Sequence, residues 1–372
     1  MKLVAIAGVK NELDIIEAFV SHHARHFDKL IVLDDGSSDG TFEVLQQLRS
    51  EYKDLVVLRQ PTIGYRQHEK MTLLLRMAVN KFGADWVAPL DADEFIEPNQ
   101  GLLLGEVLAA QQPAVYRLRW NNFLWTADLE RRDERNPVLR QRFRLPPRAE
   151  HSKLLIHRQF ANGGSELTLG NHSLLRADGP VPTQPLDCVQ LCHYPVRSIA
   201  QYAGKIAIGY LQYLAMPDWD RLNGFHYIKP FRALTDFGLE GIMNLMHRDS
   251  LFYGRDESEP TDNRLAVEAP LNYVGESLTI KMPERSAFSN VLLYAEAIAT
   301  QFASNARQAQ NCDRASIEIA LLQKRNLDVE LELQRLRGEI SRQNRQLQSR
   351  TFRLLTRVYV MLIRLKILRQ RP

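Results

Sequence analysis

Cysteine is scarce: Cys188, Cys192 and Cys312 are the three in 372 residues. Three thiols make no disulfide framework, and Cys188 and Cys192 lack the second close pair that a structural zinc site needs, so a reducing compartment is expected. No run of 18 or more uncharged apolar residues occurs, and an ordinary membrane span is not expected. The N-terminal stretch MKLVAIAGVKNE has a lone Lys2 and a short apolar run broken by Lys10, Asn11 and Glu12. It has no small-residue cleavage site, so it reads as a first strand rather than a leader, and the chain as cytoplasmic. Nor is there a large excess of one charge: 48 Lys and Arg against 44 Asp and Glu leave a net +4, too little to point to nucleic acid. The excess is local instead. Arg350, Arg353, Arg357, Arg364, Lys366, Arg369 and Arg371 crowd the last turns with no acid among them, a basic end suited to an acidic surface. What remains is ordinary, 45% hydrophobic and 25% charged, the balance of a folded soluble protein. The length suggests one large domain with additions.

The first hundred residues alternate two periodicities. Leu3–Val9 is continuously apolar, as expected of a parallel strand covered on both faces. Ile15, Ile16, Phe19 and Val20 fall at near-helical spacing. Lys29–Leu33 is strand-like, Asp39–Leu48 a short helix, Leu55–Leu58 a strand and Arg66–Phe82 a longer helix. Asp85–Leu90 is a fourth strand running into DADEF. This order predicts an α/β fold with a doubly wound, mostly parallel sheet. Ala114–Trp120 reads as a further strand and the charged segment Asp128–Arg148 as a long loop of the kind that is often functional. Short strands are expected at Lys153–Phe160, Leu167–Leu169 and Ser173–Leu175, helices at Ser198–Leu214 and Phe231–His247, and a linker at Tyr253–Asn263.

Two constellations carry chemistry. Asp91 and Asp93 stand two apart at the end of an apolar strand. In extended chain they present two carboxylates to one point, with small Ala92 facing away. Hard oxygen ligands with room for water and diphosphate suit Mg²⁺ or Mn²⁺, although a solvated acidic turn has the same local pattern. The second is Ile31-Val32-Leu33 leading into Asp34-Asp35-Gly36-Ser37-Ser38-Asp39-Gly40-Thr41, a strand, a glycine turn and a helix start at the edge where α/β sheets bind ligands. A carboxylate there suits ribose hydroxyls or a base N–H, and helix-start amides suit phosphate. A simple capped turn would need Ser38 or Asp39 as its cap. It would not need Asp34 and Asp35 as well.

From Val4 to Phe95, with KNE after the first strand, LDDGSSDGT after the second and LDADEF after the fourth, the chain resembles family 2 glycosyltransferases. It is most similar to a bacterial branch whose metal motif reads D-x-D-E-F. The resemblance implies a GT-A fold, a nucleotide-sugar donor of UDP, GDP or TDP type, a divalent metal and inversion at the anomeric carbon. By position it places Glu12, Asp34 and Asp35 on the nucleoside side, and Asp91 and Asp93 on the ribose, diphosphate and metal. The arginine-asparagine pair common before the metal motif is missing around Gly64–Lys70, so contacts from Arg66 and Lys70 stay open. Lys153, Gly170-Asn171-His172 and His193-Tyr194-Pro195-Val196-Arg197-Ser198 resemble that branch more loosely. They make His172 or His193 a third metal or phosphate ligand, each alternatively a packed or surface histidine. Lys153 and Lys205 are further candidates for phosphate.

An inverting transfer needs a carboxylate to take the acceptor's proton. Glu94 beside the metal motif and Asp128 in the charged loop are the candidates, with Glu130, Asp133 and Glu134 also in that loop. Two other readings stand beside a glycosyltransferase acting on a saccharide or lipid-linked acceptor in envelope polysaccharide synthesis. A nucleotidyltransferase would use similar carboxylates, but the loop after the first strand, Ala7-Gly8-Val9-Lys10-Asn11-Glu12, is poor in glycine. A non-catalytic scaffold would rest on the C-terminal region. There Ile319, Asn326, Leu333, Ile340, Leu347 and Leu354 recur every seven residues, with Leu322, Val329 and Leu336 at the second core position. That is a coiled coil joining copies of the chain, or else a long helix folded back. Phe352–Leu368 mixes apolar residues with Arg353, Arg357, Arg364 and Lys366, the pattern of an in-plane helix on the anionic inner face of a membrane. The expected division is a GT-A domain over residues 1–250, a linker and helical extension over 251–315, a coiled coil over 316–350 and a basic tail over 351–372.

Overall fold

The computed structural model describes residues 1–131, 133–145, 152–161, 164–216, 224–252, 267–273, 278–280 and 287–368. The chain divides into two units, Met1–Gln301 and Phe302–Pro372. The first opens with β1 (Leu3–Val9), α1 (Ile16–His23), β2 (Lys29–Asp34), α2 (Thr41–Glu51), β3 (Leu55–Arg59), α3 (Gln67–Asn80) and β4 (Trp86–Leu90). Alternate residues of these strands serve opposite faces. Ala5, Ala7, Val9, Leu30 and Val32 pack with Phe19 of α1 and Val44 and Leu45 of α2. Val4, Ile6, Ile31 and Leu33 pack with Met71, Leu74, Leu75 and Ala78 of α3. Both faces are covered, which is why the runs are continuously apolar.

After β4 the chain turns through Asp91–Asp93 into β5 (Glu94–Pro98), a strand that the sequence pattern does not separate from the motif. There follow α4 (Leu104–Leu108), β6 (Val115–Asn122), α5 (Pro137–Arg140), β7 (Phe143–Arg144), β8 (Ser152–His157), β9 (Glu166–Leu167), β10 (Leu174–Arg176), β11 (Gly179–Pro180), β12 (Gln184–Pro185) and β13 (Val189–His193). The main sheet has the order β3-β2-β1-β4-β8-β6-β13-β5, with β12 beside β6. Strands β3, β2, β1 and β4 are parallel. β8 is antiparallel to both β4 and β6, and β13 is parallel to β6 and antiparallel to β5. It follows that β1, β2, β4, β6 and β13 all end at one edge, while β5 and β8 begin there. This is the expected mostly parallel GT-A-type sheet, and that edge carries the site.

The described part of the charged segment is more ordered than a loop. It holds a 3-10 turn at Ala127–Arg131, α5 and β7. Asn136 caps α5 through its side chain, with Pro137 at the first helical position. The Pro146–Arg148 end of that segment and the expected linker Tyr253–Asn263 lie outside the described residues.

α6 (Ile199–Leu214) is capped by Ser198, whose Oγ accepts the Gln201 N–H. α7 (Ile228–Phe252) bends at Gly238, where φ is 64°. The two helices pack through Tyr202, Ala203, Ile206, Ile242 and Met246, with Trp125, Leu129 and Val196 beneath. β14 (Val267–Glu268) pairs with β7. α8 (Ala287–Leu368) runs through the segments expected as helical extension, coiled coil and tail. In the second unit its heptad residues Ile319, Leu322, Val329, Leu333, Leu336 and Ile340 are exposed. Among the described residues no helix is long and apolar enough to cross a membrane.

Candidate active site

At the carboxyl edge of the sheet the loops after β1 and β2 are laced together. The Asn11 N–H donates to Ser37 Oγ at 2.9 Å, and Asn11 Oδ1 accepts from the Ser38 N–H at 2.8 Å. The Glu12 N–H donates to Thr41 Oγ1 at 2.9 Å and the Leu13 N–H to Asp39 Oδ2 at 3.1 Å. These side chains join two loops, and Asp39 Oδ1 also accepts from the Thr41 N–H at the start of α2 at 2.9 Å, next to the N-cap Gly40. Gly36 is required at its place: φ is 72°, and a Cβ there would stand 2.6 Å from Pro61 Cβ.

A cleft of about 740 Å³ opens along this edge, lined by Lys10, Glu12, Asp35, Asp91, Asp93, His193 and Lys205 among others. At one end Asp35 Oδ1 accepts from the Thr62 N–H at 2.8 Å and the Thr62 hydroxyl at 3.0 Å. It also pairs with Lys70, while Lys10 Nζ donates to the Asp35 carbonyl at 2.6 Å. At the other end lies the acidic turn. Asp93 faces Lys205 Nζ at 3.2 Å, Arg197 at 3.6 Å and His193 Nε2 at 3.7 Å. Asp91 is held differently, accepting from Lys153 Nζ at 2.5 Å and Gln67 Nε2 at 3.0 Å. His193 is the last residue of β13 and lies opposite Glu94 in the β5 pairing, which fixes it beside the turn. Its Nδ1 meets Asn122 Oδ1 at 2.8 Å, and its ring stacks on Trp120.

Burial and charge set the protonation of these groups. Burial alone would raise the Asp93 pKa, but Lys205, His193 and Arg197 outweigh it and hold the carboxyl well below its usual range. Burial raises Glu12 to about 7, against the pull of the Arg197 guanidinium. Burial pushes Glu94 well above the ordinary carboxyl value, with Lys153 opposing. Burial lowers the His193 pKa despite the neighbouring Asp93.

Of the candidates named from sequence, Glu12, Asp35, Asp91, Asp93, His193 and Lys205 come together on the cleft. Lys153 supports it from beneath, fully buried between Asp91 and Glu94. Four candidates do not reach it. Asp34 is buried, its carboxylate accepting from the Gly36 and Ser37 N–H groups, so it shapes the turn rather than facing a nucleoside. Glu94 is also buried, its Oε2 bonded to the Asp91 N–H and near Lys153, so it cannot meet an acceptor hydroxyl. Asp128 is exposed, bonded to Thr126 and away from the cleft walls. His172 is exposed, with Nδ1 on the Ser152 carbonyl at 2.8 Å. From the charged loop Asp133 and Glu134 do line the cleft.

The residue missed as a site candidate is Arg197. It is fully buried and forks onto Asp14 at 2.8 and 3.0 Å, with Glu12 at 2.5 Å. Its place in HYPVRS was the only signal. Among the described residues no group of three His, Cys, Asp or Glu stands ready to hold a metal. Asp93 Oδ1 and His193 Nε2 nevertheless make two donors of suitable chemistry 3.7 Å apart. That fits an ion taking its other ligands from phosphate and water.

The mostly parallel sheet thus sets the loop that carries Asp35 and the acidic turn on one edge, along one cleft. Residues 5–154, less than half of the chain, match the family model Glycosyl transferase family 2. No curated protein matches the chain in sequence. Among solved structures it is similar to S. aureus TarS at 13% identity and a TM-score of 0.33, covering 64% of this chain and spanning 44% of that one. TarS 1–349 in complex with UDP-GlcNAc gives 10% identity, 76% and 100% coverage and a TM-score of 0.34. Mannosyltransferase PcManGT from Pyrobaculum calidifontis, in complex with GDP-Man and Mn²⁺, gives 14%, 67%, 74% and 0.32.

Proposed function

We propose that the chain transfers a sugar from a nucleoside diphosphate sugar to a saccharide or lipid-linked acceptor, with inversion. The observation that carries this reading is the meeting of Asp35, Asp93, His193 and Lys205 on one cleft at the carboxyl edge of the sheet. Asp35 receives the nucleoside and Lys205 meets the diphosphate, while Glu12 is held by Arg197 beside Asp93. Asp93 and His193 hold Mn²⁺ or Mg²⁺, and the ion when bound stabilises the charge of the leaving diphosphate. Asp91 is a positioning residue, clamped by Lys153 and Gln67 so that the turn keeps its shape. With Glu94 buried, the proton of the acceptor hydroxyl passes to Asp133, the exposed carboxylate of the charged loop that lines the cleft.

Two properties of the second unit complete the reading. The exposed heptad residues from Ile319 to Ile340 join copies of the chain as a coiled coil. Exposed Leu354, Leu355, Val358, Tyr359, Leu362 and Ile363, among Arg353, Arg357 and Arg364, rest on an anionic membrane surface near the acceptor. The test of the activity is turnover of UDP-, GDP- and TDP-sugars with Mn²⁺ by the purified chain and by Asp93→Asn. The parent is expected to release nucleoside diphosphate and the variant to lose that activity while keeping its melting temperature. Full activity in Asp93→Asn, or in EDTA, would overturn the assignment.

A further inference from the structure

One wall of the cleft is a single face of α6. Gln201, Gly204, Lys205, Ile208, Gly209 and Gln212 line it, at the three- and four-residue steps that keep side chains on one side of a helix. The opposite face, with Tyr202, Ala203 and Ile206, is buried against α7. Two of these lining residues are glycines inside an uninterrupted helix, where glycine is worse than alanine because it orders more backbone. Each therefore needs a compensating reason. For Gly209 the reason is packing: a Cβ there would stand 2.6 Å from the Tyr227 ring. Gly204 has no such neighbour. A Cβ built on it would meet no atom within 4 Å, so the space above it is open. That space belongs to the cleft, one residue before Lys205, whose Nζ lies 3.2 Å from Asp93. The neighbouring Lys205 reaches the acidic end of the cleft, where the sugar of a donor would follow its diphosphate.

We propose that Gly204 keeps open the subsite for the donor's sugar ring and limits by size which sugars enter. The proposal rests on the transferase reading above. Alanine or leucine at this position would fill the gap without straining the helix, since both are better helix formers than glycine. The test compares the full chain with Gly204→Ala and Gly204→Leu, using UDP-xylose, UDP-glucose and UDP-N-acetylglucosamine with their GDP- and TDP-linked counterparts. Binding of the bare nucleoside diphosphate is measured alongside.

The expected result is that Gly204→Ala melts no lower than the parent and binds nucleoside diphosphate within about twofold of it. On the largest donor that the parent uses, Gly204→Ala should lose about tenfold or more in kcat/KM, the scale of one misplaced methylene or more in a tight pocket. Smaller donors should suffer less, and Gly204→Leu should lose turnover of all of them. Parent-like turnover in Gly204→Leu would overturn the proposal and leave the transferase reading intact. A fall in the melting temperature of Gly204→Ala would also overturn it, since glycine would then be present for packing. Absence of turnover in the parent itself would overturn the transferase reading, and this proposal with it.

Discussion

Removing the Arg197 guanidinium is the most informative single perturbation of the site's architecture. Its fork satisfies both oxygens of Asp14 at 2.8 and 3.0 Å, reaches Glu12 at 2.5 Å and the Tyr194 carbonyl at 3.2 Å, and lies 3.6 Å from Asp93, all without exposure to solvent. Arg197→Met keeps most of the volume and takes away the charge, leaving acids from the β1 loop and the metal motif crowded without their shared partner. Losing one side of a buried pair costs about 3–5 kcal/mol. Glu12 tempers the loss, because burial already raises its pKa to about 7 and it can take up a proton. The sign follows from that. A carboxyl whose folded pKa lies above its unfolded value contributes stability at low pH that is lost as pH rises through the folded pKa. In the parent that loss ends near pH 7; without Arg197 the Glu12 pKa climbs and the loss continues to higher pH. Urea unfolding of parent and variant at pH 6.5 and 8.5 measures this directly. The expected outcome is a loss of about 3 kcal/mol or more, larger at pH 8.5 than at 6.5. A loss below about 1 kcal/mol, or one equal at the two pH values, would refute the view that this arginine neutralises the cluster.

Asp35→Ala should weaken UDP, GDP or TDP binding by about 1–3 kcal/mol in calorimetry, the scale of a charged hydrogen bond; unchanged affinity for all three would place the nucleoside elsewhere. Acid should destabilise the first unit. Burial lowers His22 and His26 to about 4, so the unfolded chain takes up protons that the folded one refuses as pH falls from 6.5 towards 4. Each such group costs about 1.4 kcal/mol per pH unit in that window, and a flat unfolding midpoint between pH 6.5 and 4.5 would contradict it. Truncation after Arg314 should turn an oligomer into a monomer on light scattering, and equal masses would mean that the heptads do not join chains. Deleting Thr351–Pro372 should abolish flotation with anionic vesicles at low salt; failure of the intact chain to float would remove the membrane role.

What was legible in the sequence was whatever local spacing controls. The continuous runs of β1, β2 and β4 announced a sheet covered on both faces, but the two-residue step of Asp91 and Asp93 does not give carboxylates aimed at one point: the chain turns there, and Asp91 goes to Lys153 and Gln67 while Asp93 goes to Lys205 and His193. Glu94 sits in the same motif, yet its burial depends on β5 pairing with β13 almost a hundred residues later, in a register that sets it opposite His193. Asp34 and Asp35 are adjacent and chemically identical. Only the turn geometry, with two amides closing on Asp34, decides that one shapes the loop and the other faces the cleft. Arg197 left no periodic trace because its partners, Glu12 and Asp14, are over 180 residues away in sequence.

The strand order also fixes when the site can exist. β1 to β4 and their helices are complete by residue 90 and carry Asp35, Thr62 and Lys70, but later residues close over this end: Lys10 Nζ lies 5.0 Å from the Tyr294 ring centre, and Gln301 Nε2 donates to the Pro61 carbonyl at 2.7 Å. The acidic turn is different. It spans from β4 inside the sheet to β5 at its far edge, and the strands between them come from residues 115–193. During synthesis, then, the loops that carry Asp35 emerge first, while Asp93 waits for His193, Arg197 and Lys205. A nascent or truncated chain ending before β13 would carry both Asp35 and Asp93, yet leave Asp93 without His193, Arg197 and Lys205 beside it.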